Sequence, residues 1–170
     1  MFMANVVRDR VEGIGVADSL PENPKYFTEL SVSEALSIPY KKPDMEQLLS
    51  IMVDPQVISV RLVETPVALS NEGQNLSGCK LGIELKLREK VNYVADERTQ
   101  SVYVAHFENI LKSVFVVVPC EIDGKLTRDL LRQRKVSVTP YIEDIYGEMR
   151  DERTIFKHLT VLVDVKFINC

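Results

Sequence analysis

Cysteine and histidine are the side chains of this sequence best suited to metal binding or nucleophilic chemistry, and both are scarce. The chain has three cysteines, Cys79, Cys120 and Cys170, and two histidines, His106 and His158. Zinc sites draw on closely spaced pairs such as C-x-x-C, and no such pair occurs in the sequence. Each histidine lies in a strand-like segment, where a half-buried, hydrogen-bonded imidazole is the expected role. We therefore predict no metal site.

Other catalytic patterns are also missing from the sequence. A serine nucleophile needs an activating base or a strained turn, and neither Ser101 nor Ser113 lies in a G-x-S-x-G segment. Gly13-Ile14-Gly15 begins like a dinucleotide-binding loop but lacks the third glycine, the preceding strand and the following helix. The sequence therefore predicts a protein that is not an enzyme and that has no catalytic residues and no bound cofactor.

The cysteines are candidates for cross-links. An odd number of cysteines in an intracellular chain normally indicates buried thiols, which is the expectation for Cys79 and Cys120. Cys170 ends the sequence, where a thiol is exposed and suited to bonding between molecules. We predict intermolecular disulfides through Cys170 in a mature assembly, with Cys120 and Cys79 as further candidates.

Length and charge restrict the class of protein. The chain has 170 residues and a net charge of −4, so it is long enough for one domain with a real core and lacks the positive charge of a general nucleic-acid binder. Charged residues interrupt the apolar stretch within residues 1–24, so we expect synthesis in the cytoplasm without a signal peptide and no insertion into a membrane.

Most of the chain has the alternating pattern of β-strands. The clearest case begins at residue 81, where apolar and polar side chains alternate as far as Arg88; the strand extends to residue 94, and residues 100–108 follow it as the second strand of a hairpin. We expect Ile83, Leu85 and Leu87 to be buried together with Val161 and Val163. Residues 114–118 are a continuous apolar run, which predicts a strand buried on both faces. With further strands at 136–145 and 154–167, the pattern predicts an all-β fold, an antiparallel β-sandwich.

Two short helices are also expected. Met45, Leu48, Leu49 and Met52 recur at helical spacing after Asp44, a residue that can cap a helix. The second candidate is residues 124–135. Strands are expected on either side of the first helix, at 25–38 and 56–64, the latter with Ile58, Val60 and Leu62 on one face.

Residues 1–24 show neither a helical nor a strand period, and we interpret them as an extended arm that precedes a single domain at 25–170. A sandwich leaves unpaired edge strands, which can accept an extended segment from a neighbouring molecule. We predict that the arm is such a connector; packing of the arm on its own domain is the alternative. Its apolar side chains, which would be buried between subunits, are Phe2, Val6, Val7, Val11, Ile14 and Val16.

Seven segments of the sequence carry a likeness to one known family: 11–18 (VEGIGVAD), 38–48 (IP, then KPDMEQL), 71–81 (NEGQNLSG, then KL), 90–107 (K-V-x-Y-V-A-D-E-x-T-Q-S-V, then AHF), 117–119 (VVP), 141–145 (YIEDI) and 153–157 (RTIFK). Together they resemble the SPOCS-domain family of clostridial, SipL-like spore-coat and sporulation-associated proteins. The resemblance is most specific at residues 90–107, although Tyr103 stands there where members tend to have a histidine. Residues 110–113 also depart from the family pattern.

The resemblance implies a biological setting and carries over no catalytic residues. It implies a structural, non-enzymatic protein of the clostridial spore surface, in the coat, exosporium or an appendage. We expect such a protein to assemble with itself, as a homo-oligomer or filament, and with other spore-coat proteins. The alternative is a monomeric or dimeric module that anchors another coat protein or a glycan. A hydrolase is the remaining possibility, and it would require His106 and an acidic side chain to converge in a deep pocket.

Overall fold

The computed structural model describes residues 3–8, 11–69, 71, 75–76 and 78–168. Strands dominate it, and the single helix of the described residues has only six residues. The elements, in chain order, are β1 (Met3–Arg8), β2 (Val11–Ala17), β3 (Tyr26–Ser37), β4 (Met45–Glu64), β5 (Ala68–Leu69), β6 (Asn75–Leu76), β7 (Cys79–Ala95), β8 (Val102–Val117), β9 (Glu121–Ile122), β10 (Lys125–Leu126), α1 (Thr127–Arg132), β11 (Val136–Met149) and β12 (Thr154–Phe167).

Two sheets pack face to face. The larger sheet has the strand order β1-β2-β4-β7-β8, and the smaller has the order β11-β12-β3. All pairs are antiparallel except β2 with β4, which is parallel over residues 12–14 and 50–52. One apolar core lies between the sheets. The predicted all-β, sandwich-like fold is confirmed, with the larger sheet mixed because of the β2–β4 pair.

The core follows from the alternation along the long strands. Ile83, Leu85 and Leu87 of β7 are at most 1% exposed, and Val161 and Val163 of β12 are fully buried in the same cluster. Burial of each such side chain is worth about 1.5–3 kcal/mol, so these strands account for much of the driving force for folding. The prediction that these positions of 81–94 and 155–167 are buried together is confirmed.

The predicted helix at residues 45–52 is wrong, because this segment is the first part of β4. The register between β4 and β7 shifts between Met45 and Gln47 and again between Leu48 and Ser50. Each irregularity adds a residue to β4, so buried side chains recur at an interval of three residues, as in a helix. A third shift, between Val57 and Ser59, leaves Ile58 51% exposed and outside the face to which the alternation assigned it.

Residues 102–117 form one long strand, β8, instead of two separate strands. The expectation that 114–118 is buried on both faces is wrong for the single chain. β8 lies at the edge of the larger sheet, and its side chains alternate: Val116 is 1% exposed, whereas Phe115 is 55% and Val117 52% exposed. Residues 124–135 contain the short helix α1, in which Leu130 is buried.

One end of the sandwich is organised by Arg153, which precedes β12. Its Nη1 donates to the Lys42 carbonyl and to Asp44 Oδ1, both at 2.8 Å. Its Nη2 donates to the carbonyls of Ile38 and Pro39, both at 3.0 Å. Asp44 therefore accepts a hydrogen bond from an arginine and does not cap a helix.

Tyr93 fastens the same end from the larger sheet. Its hydroxyl donates to the Pro43 carbonyl at 2.9 Å, while the backbone N–H of Asp96 donates to the Asp44 carbonyl. Burial is the main cause that raises the pKa of the Tyr93 hydroxyl, which therefore stays a neutral donor. The segments at 38–48, 90–107 and 153–157 that carry the family resemblance thus meet at this end of the sandwich.

Candidate functional site

The two strands of the arm, β1 and β2, lie in the larger sheet of their own chain. Val11, Ile14 and Val16 belong to β2, and Val16 is only 6% exposed. Val6 and Val7 belong to β1, whose backbone pairs with β2. This is the arrangement expected if the arm packs on its own domain. Exchange of the same segment between copies stays a prediction.

Phe2, the first of the apolar arm residues, lies outside the described residues.

Two glycines let β2 approach β11 of the smaller sheet and its own sheet neighbour, β4. A Cβ on Gly13 would lie 2.9 Å from the Cβ of Ile145 in β11. Gly15 has a φ of +115°, and a Cβ there would lie 2.2 Å from the Val53 carbonyl oxygen of β4. Any larger side chain would force β2 away from both strands. Gly13-Ile14-Gly15 is therefore a packing motif in this structure.

β8 is the strand of the larger sheet most available to a partner. In the described part of the chain it pairs with β7 on one side, and its other side forms the edge of the sheet. We call this strand, with its outward side chains, the β8 edge. Five of those side chains are apolar and at least 36% exposed: Val102, Val104, Leu111, Phe115 and Val117. A long edge strand with exposed apolar residues is a typical site for pairing with another chain.

The outer face of the larger sheet beside the β8 edge has two open hollows. A hollow of about 180 Å³ lies at Gly82, between Arg61 and Phe115. A second hollow, of about 210 Å³, is lined by His106 together with Asp54, Glu108 and Arg88. Glu108 has a cationic neighbour, since Arg88 Nη2 lies 4.0 Å from its Oε1. Both hollows are open on the sheet surface, so His106 does not meet acidic groups in the deep pocket that a hydrolase would require.

His158 has the hydrogen-bonding role predicted for it. Its Nε2 lies 2.6 Å from Ser31 Oγ on the neighbouring strand β3. The pair lies on the outer face of the smaller sheet, where Ser31 is exposed. The imidazole thus connects two strands.

Cys79 and Cys120 form a disulfide within the chain, with their Cα atoms 5.3 Å apart. The expectation of two buried thiols is therefore wrong. Cys79 is buried at the start of β7, whereas Cys120 is exposed after β8. The turn that follows β8 brings the two together, an arrangement that the spacing of the cysteines could not reveal. Cys170 lies outside the described residues, so its predicted intermolecular bond stays a prediction.

Four charged side chains meet between the two sheets, and we call them the inter-sheet cluster: Glu34, Glu89, Lys112 and Lys157. Lys157 of β12 is fully buried, and its Nζ is paired with Oε1 of Glu89 from β7, which is also fully buried at its side chain. The same Nζ lies 3.1 Å from Oε2 of Glu34 on β3. Lys112 of β8 pairs with the other oxygen of Glu34 at the margin of the sandwich.

The pKa values of the two carboxyls of the inter-sheet cluster move in opposite directions. Burial is the largest influence on Glu89 and raises its pKa above the ordinary value, although the charge of Lys157 opposes that change. Burial would also raise the pKa of Glu34, but a hydrogen bond from Lys112 and the charges of Lys157 and Lys112 hold it below the ordinary value. Oε2 of Glu89 is buried and has no hydrogen-bond partner among the described residues. The pairing of Glu89 is therefore incomplete.

Our sequence analysis missed the inter-sheet cluster, although the sequence contains a signal for it. Glu89 falls in the inward series of β7, between Leu87 and Val91. Lys157 falls between the inward residues Ile155 and Leu159 of β12. When each of two strands has a charged residue of opposite sign at a position that should face the core, the two residues are expected to pair there.

Among the residues that the structure describes, no group of three His, Cys, Asp or Glu side chains is arranged to hold a metal ion. No helix of the described segments is long and apolar enough to cross a membrane.

Comparisons with protein-family models, with curated proteins and with solved structures find no match for this chain.

Proposed function

We propose that this chain is a non-enzymatic structural protein of the clostridial spore surface, in the coat, exosporium or an appendage, and that it assembles with itself and with other spore-coat proteins. The setting rests on the resemblance to SPOCS-domain proteins at the segments named above. Self-assembly rests on the β8 edge. The alternative is a monomeric or dimeric module that anchors another coat protein or a glycan.

The single observation that carries self-assembly is the exposure of Phe115 and Val117 within the apolar run 114–118. Their sequence is that of a strand buried on both faces, yet Phe115 and Val117 are about half exposed in the single chain. A second copy that pairs with this edge gains main-chain hydrogen bonds and covers these side chains. Burying both side chains is worth about 3 kcal/mol before the entropy cost of association, enough to matter when repeated along an array.

The larger sheet also supports an open-ended assembly. Its two edges are formed by different strands, β1 at one side and β8 at the other. Contact between the arm of one copy and the β8 edge of the next is therefore heterologous, and such contacts build filaments unless the rotation closes a ring. The contact depends on main-chain pairing and apolar burial.

The test is to determine the size and shape of the particles that the purified protein forms. We expect filaments, sheets or rings of the wild type by negative-stain microscopy and light scattering. Phe115→Lys should reduce them to monomers, because a lysine on an edge strand opposes pairing. Val67→Lys is the matched control, since Val67 is 77% exposed in a loop away from the edge. A wild type that remains monomeric or dimeric at all concentrations would favour the anchoring module.

The contribution of the arm is tested by a deletion that spares β2. Removal of residues 2–10 leaves the packing of Gly13 and Gly15 intact. We expect the shortened protein to fold, with unchanged circular dichroism, and to lose assembly. Assembly that survives the deletion would show that the arm is not the connector. Immunogold labelling of intact spores of clostridia that carry the gene tests the location separately from the assembly.

A further inference from the structure

The inter-sheet cluster joins an amine, a carboxyl group and a second carboxyl group inside the core. Lys157 Nζ contacts Glu89 Oε1, and Glu34 Oε2 lies 3.1 Å from the same nitrogen. The side chains of Lys157 and Glu89 are both 0% exposed. An amine and a carboxyl group held in contact without access to water are the reactants for an amide bond.

The surroundings of the pair are apolar. The inward positions that flank Glu89 on β7 are Leu87 and Val91, both at most 1% exposed. The inward positions that flank Lys157 on β12 are Ile155 and Leu159, both fully buried. A low-dielectric environment of this kind disfavours separate charges, so the neutral amine with the neutral carboxylic acid competes with the ion pair.

We propose that Lys157 and Glu89 condense into an intramolecular amide bond that joins the two sheets, with Glu34 as the proton carrier. This inference concerns a covalent modification of the fold and does not depend on the proposed function.

The reaction balances without any further reagent. The lone pair of the neutral Lys157 Nζ attacks Cδ of the protonated Glu89 carboxyl group and forms the C–N bond. Glu34 takes a proton from Nζ and donates one to the departing hydroxyl group of Glu89. The C–O bond breaks, one water molecule leaves, and Glu34 returns to its starting protonation state. Nothing is oxidised or reduced.

The protonation of the two carboxyls suits these roles. Burial raises the pKa of Glu89, which favours the protonated acid that an amine can attack. Burial is opposed at Glu34 by Lys112 and Lys157, which hold its pKa low and keep it an ionised proton acceptor. Two carboxyl groups whose environments move their pKa values apart are a recurring feature of acid–base pairs.

Formation of the amide bond would remove a buried carboxylate oxygen that has no hydrogen bond from the described residues in the ion pair. Oε2 of Glu89 is buried and accepts no hydrogen bond from the described residues, which is costly for a charged group. Condensation removes one carboxyl oxygen and both charges from the core. The new bond also ties β7 of the larger sheet to β12 of the smaller one, which prevents the sheets from sliding or separating.

The wild-type protein alone tests the bond. We expect its intact mass, measured after reduction of the disulfide, to be one water molecule below the mass of the sequence. Trypsin does not cleave after an acylated lysine, so the digest should contain a branched peptide that joins Glu89 to Lys157. Full mass with the two residues in separate peptides would overturn the proposal and leave an ordinary buried ion pair. A water loss without the branched peptide would overturn it as well.

Variants test the role of Glu34. Glu34→Gln keeps the two reacting residues but removes the proton carrier, so it should retain the full mass or lose water many times more slowly. Glu84→Gln is the matched control, because Glu84 faces outward on the same strand as Glu89, and it should lose water like the wild type. Equal loss of water in both variants would show that Glu34 does not carry the proton.

Discussion

Two cations near the same strand join the two sheets in different ways. Arg153, just before β12, is 30% exposed, and its guanidinium donates to three backbone carbonyls and one carboxylate at 2.8–3.0 Å. Lys157, inside β12, is fully buried and faces two carboxylates, one of which has an oxygen without a hydrogen-bond partner among the described residues. The hydrogen bonds of Arg153 pair its guanidinium with four acceptors, whereas the contacts of Lys157 leave a buried carboxylate oxygen without a hydrogen bond from the described residues.

The two side chains differ in how well they can satisfy several acceptors at once. The planar guanidinium offers donors at fixed angles, which match several carbonyls of one loop at once. The ammonium of Lys157 is a compact charge on a flexible stem, and it does not offer donors at the fixed angles of a guanidinium. A buried ion pair of this kind is weak evidence for stability, because desolvation can exceed the attraction. Arg153 is therefore a structural fastening, whereas Lys157 is placed for chemistry.

Removal of Lys157 should have the largest effect on stability. Lys157→Met leaves Glu89 in the core without its cation, and we expect a loss of about 3–5 kcal/mol in the free energy of unfolding. Denaturant unfolding followed by circular dichroism measures it. Replacement of Lys90, an exposed residue of β7, by methionine should change it by less than about 0.5 kcal/mol.

A double variant separates the charge from the bond. Lys157→Met combined with Glu89→Leu leaves no unpaired charge at this position, so the loss caused by the single variant should be largely restored. Any deficit that remains against the wild type combines the loss of the covalent bond with the changed packing and with the loss of the Lys157 partner of Glu34. If Lys157→Met alone costs less than about 1 kcal/mol, the pair is not buried as described.

Arg153→Lys should have an intermediate effect. A single ammonium cannot reach the four acceptors that the guanidinium bridges, so we expect a loss of about 1.5–3 kcal/mol, measured by the same denaturant unfolding. Arg150→Lys is the matched control, since Arg150 is 55% exposed and pairs with Glu148 on the surface. Equal losses in the two variants would contradict a special role for Arg153. Neither change should affect the water loss at Lys157.

The sequence was sufficient for the strands and the core but not for their irregularities. Alternation in 81–94 and 155–167 predicted the buried faces, because one side of each long strand meets the opposite sheet. The register shifts in β4 produced a helix-like spacing at 45–52 and misplaced Ile58. Bulges depend on the partner strand, so a single-strand pattern does not reveal them.

The candidate site was harder to predict because it depends on strand order. Whether residues 114–118 are central or at an edge is decided by the neighbours of β8 in the sheet. The same holds for Glu34 and Lys157, which are opposite each other only because β3 pairs with β12. Their in-phase positions are visible in the sequence, whereas the pairing that brings them together is not.

The smallest effect on stability is expected from a pair of carboxyl groups, Glu29 and Glu143, and it should appear as a change in stability with pH. Glu143 lies on β11, and burial, the charge of Glu29 and a hydrogen bond with Glu29 raise its pKa above the ordinary value of 4.5. The folded state therefore holds the proton of Glu143 more tightly than the unfolded state does. This contribution to stability is fully present below about pH 4.5 and is lost as the pH rises through the raised pKa.

Glu143→Gln removes this dependence. We expect the variant to match the wild type at about pH 4 and to gain on it as the pH rises to about 7, because the wild type alone must then hold two adjacent carboxylates. Unfolding free energies measured across this range provide the test, and Glu121→Gln, at an exposed position of β9, should show no such trend. A gain that is largest at low pH would have the wrong sign and would mean that Glu143 is stabilised as a carboxylate. The Glu29–Glu143 pair would then not differ from the sites of Arg153 and Lys157, where a cation stabilises the carboxylate.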